Sequence, residues 1–390
     1  VKGRAEAKGL IRKAKQDQDL LYVGVDQPIS LIAPTSGSKT QVGLSVAPSN
    51  DLLRSTQWAL DRLNAETVWQ TATGADTIVA VLDTGIADHT DLPVDVIAGP
   101  DLTGEGDSRS DGNGHGTHVA GSVAAETGNS LGIAGLAPDA RLMAVKVLDS
   151  GGSGYDSWIA NGIIAATDAG ADVINMSLGG GSPGAMESAV AYAISSGVTV
   201  VAAAGNGRAA GSPTSYPAAL PDVVGVGATD SSDDYASFSS AGAWVDVAAP
   251  GVGIRSTTGT NTYESWNGTS MASPHAAAAA AILISAGDTD PAQTLMDQAY
   301  DLGAAGRDND FGFGLIDLEA SLDSLNPPAG VDPPSAPQNA SATATDPGTA
   351  VVTWDAPADD GGSAITRYTV QALQGETVAG IVLMLRGASG

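Results

Sequence analysis

The chain has 390 residues, with 17 lysines and arginines against 44 aspartates and glutamates, and therefore a net charge of −27. A protein of this charge repels nucleic acids and anionic membrane surfaces, so neither is expected as a partner. The sequence has no cysteine, which excludes disulfides and zinc–thiolate sites, and no apolar run of the ~18–20 residues that a membrane span needs.

The charge is spread unevenly along the chain. Residues 1–50 carry seven basic and four acidic side chains, whereas residues 51–326 carry eight basic and 34 acidic ones. Acidic groups keep a protein hydrated and self-repelling where salt screens charge, so a saline habitat is one hypothesis. An acidic secreted protein is the other.

Short apolar runs alternate with helical patterns between residues 76 and 320. Segments 158–170 and 185–197 have apolar residues spaced i, i+3, i+4 and end at glycine, which is typical of amphipathic helices. The other runs are apolar nearly throughout, as in strands buried on both faces of a parallel sheet. These runs are 77–82, 141–148, 171–178, 198–204 and 222–228. The order predicts an α/β fold, a mostly parallel sheet with helices on both faces, and a ligand site beyond the carboxyl ends of the strands.

The C-terminal region has a different pattern. Residues 327–336 are rich in proline and glycine and read as an exposed linker. Residues 337–390 show alternation and turn clusters without a helical period, which predicts a small β module. It resembles the first half of a fibronectin type III module, with Pro337, Trp354 and Tyr368 at the matching places. A full sandwich has ~100 residues, so we expect this module to be truncated.

Two segments carry side chains suited to proton transfer. Asp83 ends the strand TIVAVL and is followed by Thr84-Gly85, so it is either a turn residue or a functional carboxylate. His115 and His118 follow a glycine-rich loop in DGNGHGTHVAG. Zinc is one interpretation, but the i, i+3 spacing without an intervening glutamate is not that of a zinc-binding helix. A general base at the start of a helix fits better, because histidine titrates near neutral pH.

A third segment suggests a nucleophile. Ser270 lies where a loop meets an alanine-rich helix, and serine is a favoured N-cap residue, so capping is one interpretation. The other is that free N–H groups at the helix start stabilise an oxyanion beside the serine. Asn206, at the end of AAAGN, is a candidate donor to the same oxyanion.

In this order along the chain, VAVLDTG, HGTHVAG, AAAGN and GTSMASPH resemble the four signature blocks of the subtilisin-like serine proteases, the subtilases. The resemblance covers about residues 48–326 and implies the subtilisin-like fold. It implies Ser270 as nucleophile, His115 as general base, Asp83 as the residue that orients His115, and Asn206 with the Ser270 N–H as oxyanion hole. His118 is then structural.

The resemblance also implies where polypeptide substrates bind. Two strands would pair with an extended peptide, and Ser215 would lie near the floor of the specificity pocket. The strand residues are Gly152, Ser153, Gly154, Ser177, Leu178 and Gly179. No acidic residue is found at a position of the specificity pocket where it would select substrates with a basic side chain. We therefore expect a broad preference for apolar residues in substrates.

Calcium is the cofactor that the resemblance implies. Asp51, Asp91 and Asn129 match family positions that bind one calcium ion, with the carbonyls of Leu131 and Ile133 completing an oxygen-only shell. The alternative is that Asp51 and Asp91 are ordinary surface acids.

Residues 1–47 match no part of the catalytic pattern. We interpret them as the remnant of a pro-segment that inhibits its own enzyme, with cleavage somewhere in 40–50, or as a plain N-terminal extension. The resemblance implies a secreted endopeptidase, although this chain contains no signal peptide, and a monomer is expected. The alternative is a catalytically silent protein of the same fold that binds surfaces through its β module.

Overall fold

A computed structural model describes residues 26–34 and 49–325, together with parts of the C-terminal region. Those parts are 334–346, 349–359, 367–370, 373–374, 377–378 and 383–386. The chain divides into two compact units, Val1–Leu325 and Asn326–Gly390. Each is considered by itself.

A seven-stranded parallel sheet forms the centre of the first unit. Its spatial order is β10-β9-β8-β6-β2-β4-β3. The strands are β2 (Ile78–Asp83), β3 (Ile97–Asp101), β4 (Arg141–Lys146), β6 (Val173–Met176), β8 (Thr199–Ala203), β9 (Val224–Thr229) and β10 (Val247–Pro250). Five of them coincide with the predicted apolar runs, and the predicted parallel sheet is confirmed.

The two outer strands, β3 and β10, were not predicted. Strand β3 contains Gly99 and Pro100 and is only partly buried, because it lies at the edge of the sheet. Edge strands tolerate proline and glycine and lack the continuous apolar pattern of central strands. The sequence of β3 therefore carries a weaker signal than those of the central strands. Strand β10 is buried throughout, but it is only four residues long.

Helices cover both faces of the sheet, as the sequence predicts. In β2, Val79 and Val81 face one apolar core and Ala80 and Leu82 face the other. The first core contains helices α3 (His115–Ala124) and α6 (Thr269–Ser285); the second contains α4 (Asp156–Asp168) and α5 (Met186–Ser195). The remaining helices are α1 (Trp58–Arg62), α2 (Ala65–Val68), α7 (Pro291–Asp297) and α8 (Leu318–Leu325). None of the helices described is long and apolar enough to cross a membrane.

Two smaller sheets lie in the same unit. Strand β1 (Pro28–Leu31) is inserted antiparallel between β5 (Ser153–Tyr155) and β7 (Leu178–Gly179). Strands β11 (Ile254–Thr258) and β12 (Thr262–Trp266) form a hairpin before α6. The first of these sheets joins the N-terminal segment to the edges of the predicted substrate site.

The second unit contains antiparallel pairs, in agreement with the predicted β module. The pairs are β13 (Gln338–Asp346) with β14 (Thr349–Asp355), β15 (Arg367–Val370) with β18 (Leu383–Arg386), and β16 (Leu373–Gln374) with β17 (Thr377–Val378). The resemblance to a fibronectin type III module stays a prediction, and so do the boundaries at residues 47, 326 and 336.

Candidate active site

Asp83 and His115 meet at the carboxyl edge of the sheet. Asp83 is the last residue of β2 and His115 the first of α3, and both are buried. The Nδ1 of His115 lies 2.8 Å from Oδ1 and 3.0 Å from Oδ2 of Asp83. An ionised carboxylate only accepts hydrogen bonds, so Nδ1 carries the proton and Nε2 is left as the basic nitrogen.

Asp111 fixes the turn that presents His115. Its carboxylate accepts from the N–H of Gly114 at 2.8 Å and from the N–H and hydroxyl of Thr117 at 2.9 and 2.7 Å. Burial by itself lowers the pKa of His115, but the carboxylates of Asp83 and Asp111 outweigh burial, and the pKa is raised above its usual 6.5. The two acids therefore make His115 a stronger base.

Ser270 is the second residue of α6 and is fully buried. Its N–H lies in the first turn, where helix N–H groups have no intrahelical acceptor. Its hydroxyl contacts the carbonyl of Ile32 at 2.8 Å and that of Ser177 at 3.1 Å. Among the residues described, Nε2 of His115 has no hydrogen-bond partner. The segment of β1 and the residues after it thus contacts the hydroxyl of Ser270, the residue that the sequence predicts to be the nucleophile.

Asn206 follows β8 and points to the same place. Its Oδ1 accepts from the N–H and the hydroxyl of Thr269, both at 3.0 Å, which fixes the orientation of the amide. Its Nδ2 donates to the carbonyl of Ala33 at 3.0 Å. Ser270 and Asn206 therefore bind the carbonyls of two consecutive residues, Ile32 and Ala33.

The predicted substrate strands hold β1 as they would hold a peptide. The N–H of Leu31 donates to the carbonyl of Gly152 at 2.9 Å, and the N–H of Ile32 to that of Ser177 at 3.4 Å. Ser30 is paired with both Ser153 and Gly179. Gly154 and Leu178 complete the pairing, opposite Ile29 and Leu31. The structure therefore brings all six predicted strand residues around one extended segment.

Glycines make room for the side chains of that segment. A Cβ on Gly179 would lie 2.4 Å from the hydroxyl oxygen of Ser215 and 3.4 Å from Cδ1 of Ile32, so these residues meet in one pocket. A Cβ on Gly180 would lie 2.5 Å from Cδ1 of Ile29. The side chains of Ile29 and Ile32 are both buried. Substitutions at the two glycines would narrow these pockets.

Strand β1 was not predicted from the sequence, although PISLIA contains an apolar, partly alternating pattern. The contacts of Trp266 and Lys146 were not predicted either. The Trp266 ring stacks on His118 with centroids 4.5 Å apart. The buried Nζ of Lys146 donates to the carbonyl of Thr84, next to Asp83, at 2.5 Å and lies 3.1 Å from Glu105. Isolated tryptophans and lysines carry no motif that would reveal such contacts.

His118 has a structural environment. Its Nε2 lies 3.2 and 3.3 Å from the carbonyls of Ile254 and Glu264. Burial first, and then the nearby His115, lower its pKa to about 3, so it is neutral at ordinary pH. Within the described part of the chain, no three histidine, aspartate or glutamate side chains are grouped as a metal site. The contacts of His115 and His118 give no support to the zinc interpretation.

The predicted calcium ligands lie together in a loop cluster. The N–H of Asn129 donates to Asp51 at 3.0 Å, and its side-chain amide donates to Asp91 at 2.9 Å. Both carboxylates are buried, and neither forms an ion pair with lysine or arginine among the described residues. The N–H of Ile133 binds Asp91, and the carbonyl of Leu131 accepts from the N–H of Leu52. Two buried, uncompensated carboxylates with an amide are a donor set that suits calcium.

The sequence of the chain is similar to those of known proteins. The sequence profile of the Subtilase family matches residues 74–314. Subtilisin DY from Bacillus licheniformis is 49% identical over 253 residues, which are 64% of this chain and 91% of that protein. Thermitase from Thermoactinomyces vulgaris is 46% identical over 243 residues, 62% and 86% of the two chains. An alkaline protease from Alkalihalobacillus alcalophilus is 46% identical over 276 residues, 69% and 70% of the two chains.

Proposed function

The chain belongs to the subtilase family, and on that basis we propose that it is a secreted, calcium-stabilised serine endopeptidase that acts on polypeptides. The catalytic residues are Ser270, His115 and Asp83, with Asn206 as an oxyanion donor. One observation carries the proposal: the Ser270 hydroxyl and the Asn206 amide bind consecutive carbonyls of a strand held like a substrate.

The proposed reaction is acyl transfer. The Ser270 oxygen attacks the carbonyl carbon of the scissile bond while Nε2 of His115 takes the hydroxyl proton. His115 then gives this proton to the leaving amine, and an acyl-enzyme on Ser270 remains. Water, deprotonated by the same nitrogen, hydrolyses the ester. Asp83 keeps His115 in the required tautomer and stabilises its charged form.

A fluorophosphonate tests the proposal directly, because it phosphonylates only an activated serine. We expect one adduct, on Ser270, in protein from which residues 1–32 have been removed by self-cleavage. Peptide mass spectrometry identifies the labelled residue. The absence of an adduct on that folded, calcium-loaded protein would favour the alternative, a silent surface-binding protein with the same fold.

Asn206→Ala should lower kcat by about 10²–10³-fold with little change in KM. The oxyanion forms only in the transition state, so its donor contributes to kcat rather than to substrate binding; the magnitude is known from the corresponding donor of subtilisin. Steady-state hydrolysis of a peptide p-nitroanilide measures both constants. A rise in KM with unchanged kcat would instead assign Asn206 to ground-state binding.

We propose that residues 26–32 are the inhibitory part of the chain's own pro-segment and that Ser270 cuts the Ile32–Ala33 bond. The Ile32 carbonyl is the one that contacts the Ser270 hydroxyl, whereas Asn206 holds the next carbonyl, that of Ala33. Attack at Ile32 therefore requires a shift of the segment that brings the Ile32 carbonyl to Asn206. The cleavage that the sequence analysis expects within 40–50 falls mostly outside the described residues. While the segment is bound, it occupies the strands and the side-chain contacts that another substrate would use, which accounts for inhibition.

Ile32→Asp should slow self-cleavage by at least tenfold, because a carboxylate would lose its hydration in the apolar space beside Gly179. Intact mass against time measures the loss of residues 1–32, and N-terminal sequencing should find Ala33. Val94→Asp is the matched control, since Val94 is 94% exposed. An N-terminus between residues 40 and 50 in wild-type protein would contradict the assigned bond.

The same contacts support a preference for apolar residues in substrates. Ile32 and Ile29, one and four positions before the proposed scissile bond, are both buried. Gly179 and Ser215, which face Ile32, offer no charge to a basic side chain. Cleavage of small peptides after leucine, isoleucine and phenylalanine but not after lysine is the expected result. Selective cleavage after lysine or arginine would contradict it.

Calcium would be held by Asp51, Asp91 and Asn129, where it would balance the charge of two buried carboxylates. Removing it with EDTA should lower the midpoint of thermal unfolding by roughly 10 °C, as expected when a ligand at 1,000 times its Kd is lost from a domain of this size. Calorimetry with and without 1 mM calcium measures the shift. Asp91→Asn should abolish the response, and Asp88→Asn, an exposed acid nearby, should keep it.

A further inference from the structure

The helix that begins at the proposed nucleophile contains a proline that removes one of its hydrogen bonds. Pro274 lies inside α6, four residues after Ser270. In a regular helix the N–H of residue i+4 donates to the carbonyl of residue i. Proline has no N–H, and its ring crowds that carbonyl. The Ser270 carbonyl therefore lacks the donor that a helix would normally give it.

A hydroxyl from the edge of the central sheet takes the place of this donor. Ser177, the residue that follows β6, donates from its Oγ to the Ser270 carbonyl at 2.9 Å. Both residues are fully buried. A buried carbonyl without a donor destabilises the protein, because it has lost its bonds to water. The Ser177 hydroxyl thus satisfies the carbonyl that Pro274 leaves without its helical partner.

Two further buried side chains fix the direction of this hydrogen bond. The Ser273 hydroxyl donates to Oδ1 of Asn175 at 2.6 Å, and Nδ2 of Asn175 donates to the Ser177 oxygen at 3.1 Å. Asn175 and Ser273 are also fully buried. Because the Ser177 oxygen accepts from Asn175, its own proton is directed to the Ser270 carbonyl. The bonds lead from α6 through β6 and back to α6.

The main chain of Ser177 contacts the segment that occupies the cleft. Its carbonyl accepts from the N–H of Ile32 at 3.4 Å and from the hydroxyl of Ser270 at 3.1 Å. Ser177 therefore binds the segment through its carbonyl and the backbone of Ser270 through its hydroxyl. Loss of the hydroxyl would remove the second contact and leave the first in place.

We propose that Ser177 is a positioning residue, whose hydroxyl replaces the N–H that Pro274 lacks and so holds Ser270 at the substrate carbonyl. The proposal rests on the proposed function, because it takes Ser270 to be the nucleophile. Without this bond the start of α6 shifts relative to the sheet, and a shift of about 1 Å at the reacting atoms can lower a rate by 10²-fold. The carbonyl of Ser177 still binds substrate, so kcat should respond and KM should not.

Ser177→Ala should lower kcat for a peptide p-nitroanilide by roughly 10–100-fold, with KM nearly unchanged. The rate of fluorophosphonate labelling of Ser270 should fall by a similar factor, because it measures the reactivity of the same oxygen. Ser321→Ala is the matched control. Ser321, in α8, is also fully buried, and its hydroxyl donates to a backbone carbonyl, that of Asp317, at 2.6 Å. This control should keep the kcat and KM of wild type.

Pro274→Ala provides the decisive comparison, because it restores an N–H four residues after Ser270. In that background the Ser270 carbonyl has a helical donor, so Ser177→Ala should lower kcat by no more than about threefold. Equal losses of kcat with and without Pro274, or an unchanged kcat in Ser177→Ala, would overturn the proposal. If Ser177→Ala alone does not fold, the double variant should fold, and failure of both would overturn the proposal too.

The midpoint of thermal unfolding measures the same hydrogen bond in protein that cannot react. In a Ser270→Ala background, Ser177→Ala should lower the midpoint where Pro274 is present, and lower it less after Pro274→Ala. Coupling of the two positions in the midpoint without coupling in kcat would make Ser177 purely structural and overturn the positioning role. Absence of a fluorophosphonate adduct on wild type would instead overturn the proposed function, whatever the midpoints show.

Discussion

Ser270→Ala should lower kcat/KM for peptide hydrolysis by about 10⁶-fold, the loss known for the nucleophile of the subtilisin triad. The neighbouring Thr269 cannot replace it, because its hydroxyl donates to Asn206 and accepts from the N–H of Gly205. The same variant should keep residues 1–32 attached. Progress curves at high enzyme concentration, together with intact mass, measure both effects.

Ser285→Ala is the matched control for Ser270→Ala. Ser285 ends the same helix, where its oxygen bonds Gly74 and Ile282, away from the cleft. We expect wild-type kinetics from this variant. Residual activity of Ser270→Ala within a hundredfold of wild type, in a preparation free of contaminating protease, would assign the nucleophile to another residue.

Asp83→Asn should lower kcat by about 10⁴-fold, as in other serine proteases with this triad. The asparagine amide can donate to Nδ1 of His115, which places the ring proton on Nε2 and removes the base. The Asp83 carboxylate also raises the pKa of His115. In wild type, activity should therefore fall as pH drops through a value above 6.5, where His115 becomes protonated.

In Asp83→Asn this acid limb should move to lower pH, because the charge that raises the pKa of His115 is gone. The profile of kcat/KM between pH 5 and pH 10 measures the shift. Asp88→Asn removes an exposed acid five residues later and should leave both kcat and the acid limb unchanged. A wild-type acid limb below pH 6 would contradict the electrostatic role of Asp83.

The central strands and the residues of the proposed triad could be predicted because each leaves a local signal. Continuous apolar runs mark strands buried on both faces, and Asp83, His115 and Ser270 stand in short blocks with fixed neighbours. Edge strand β3 left little signal, since an edge tolerates Gly99 and Pro100. Sequence patterns thus predict best the strands that are buried on both faces and the residues that stand in fixed motifs.

Other parts of the site depend on contacts between distant residues. Strand β1 forms only because β5 and β7 stand apart by the width of one strand, and its own four residues do not specify this partner. The hydrogen bond from the N–H of Gln27 to Asp156 joins residues 129 positions apart. Asp156 does not differ in sequence from the many other acids in this chain. Such pairings follow from the three-dimensional arrangement and not from local pattern.

The position of β1 has a consequence for how activation depends on protein concentration. While the chain is uncut, the segment is tethered to its cleft and has an effective concentration on the order of millimolar. After the Ile32–Ala33 bond is cut, the same peptide competes only at the concentration of the released peptide. In a concentrated solution the released peptide would therefore rebind the cleft and inhibit the enzyme again. Dilution would prevent this rebinding and complete the activation. A concentrated and a dilute solution would then hold the same molecules in different states of activity.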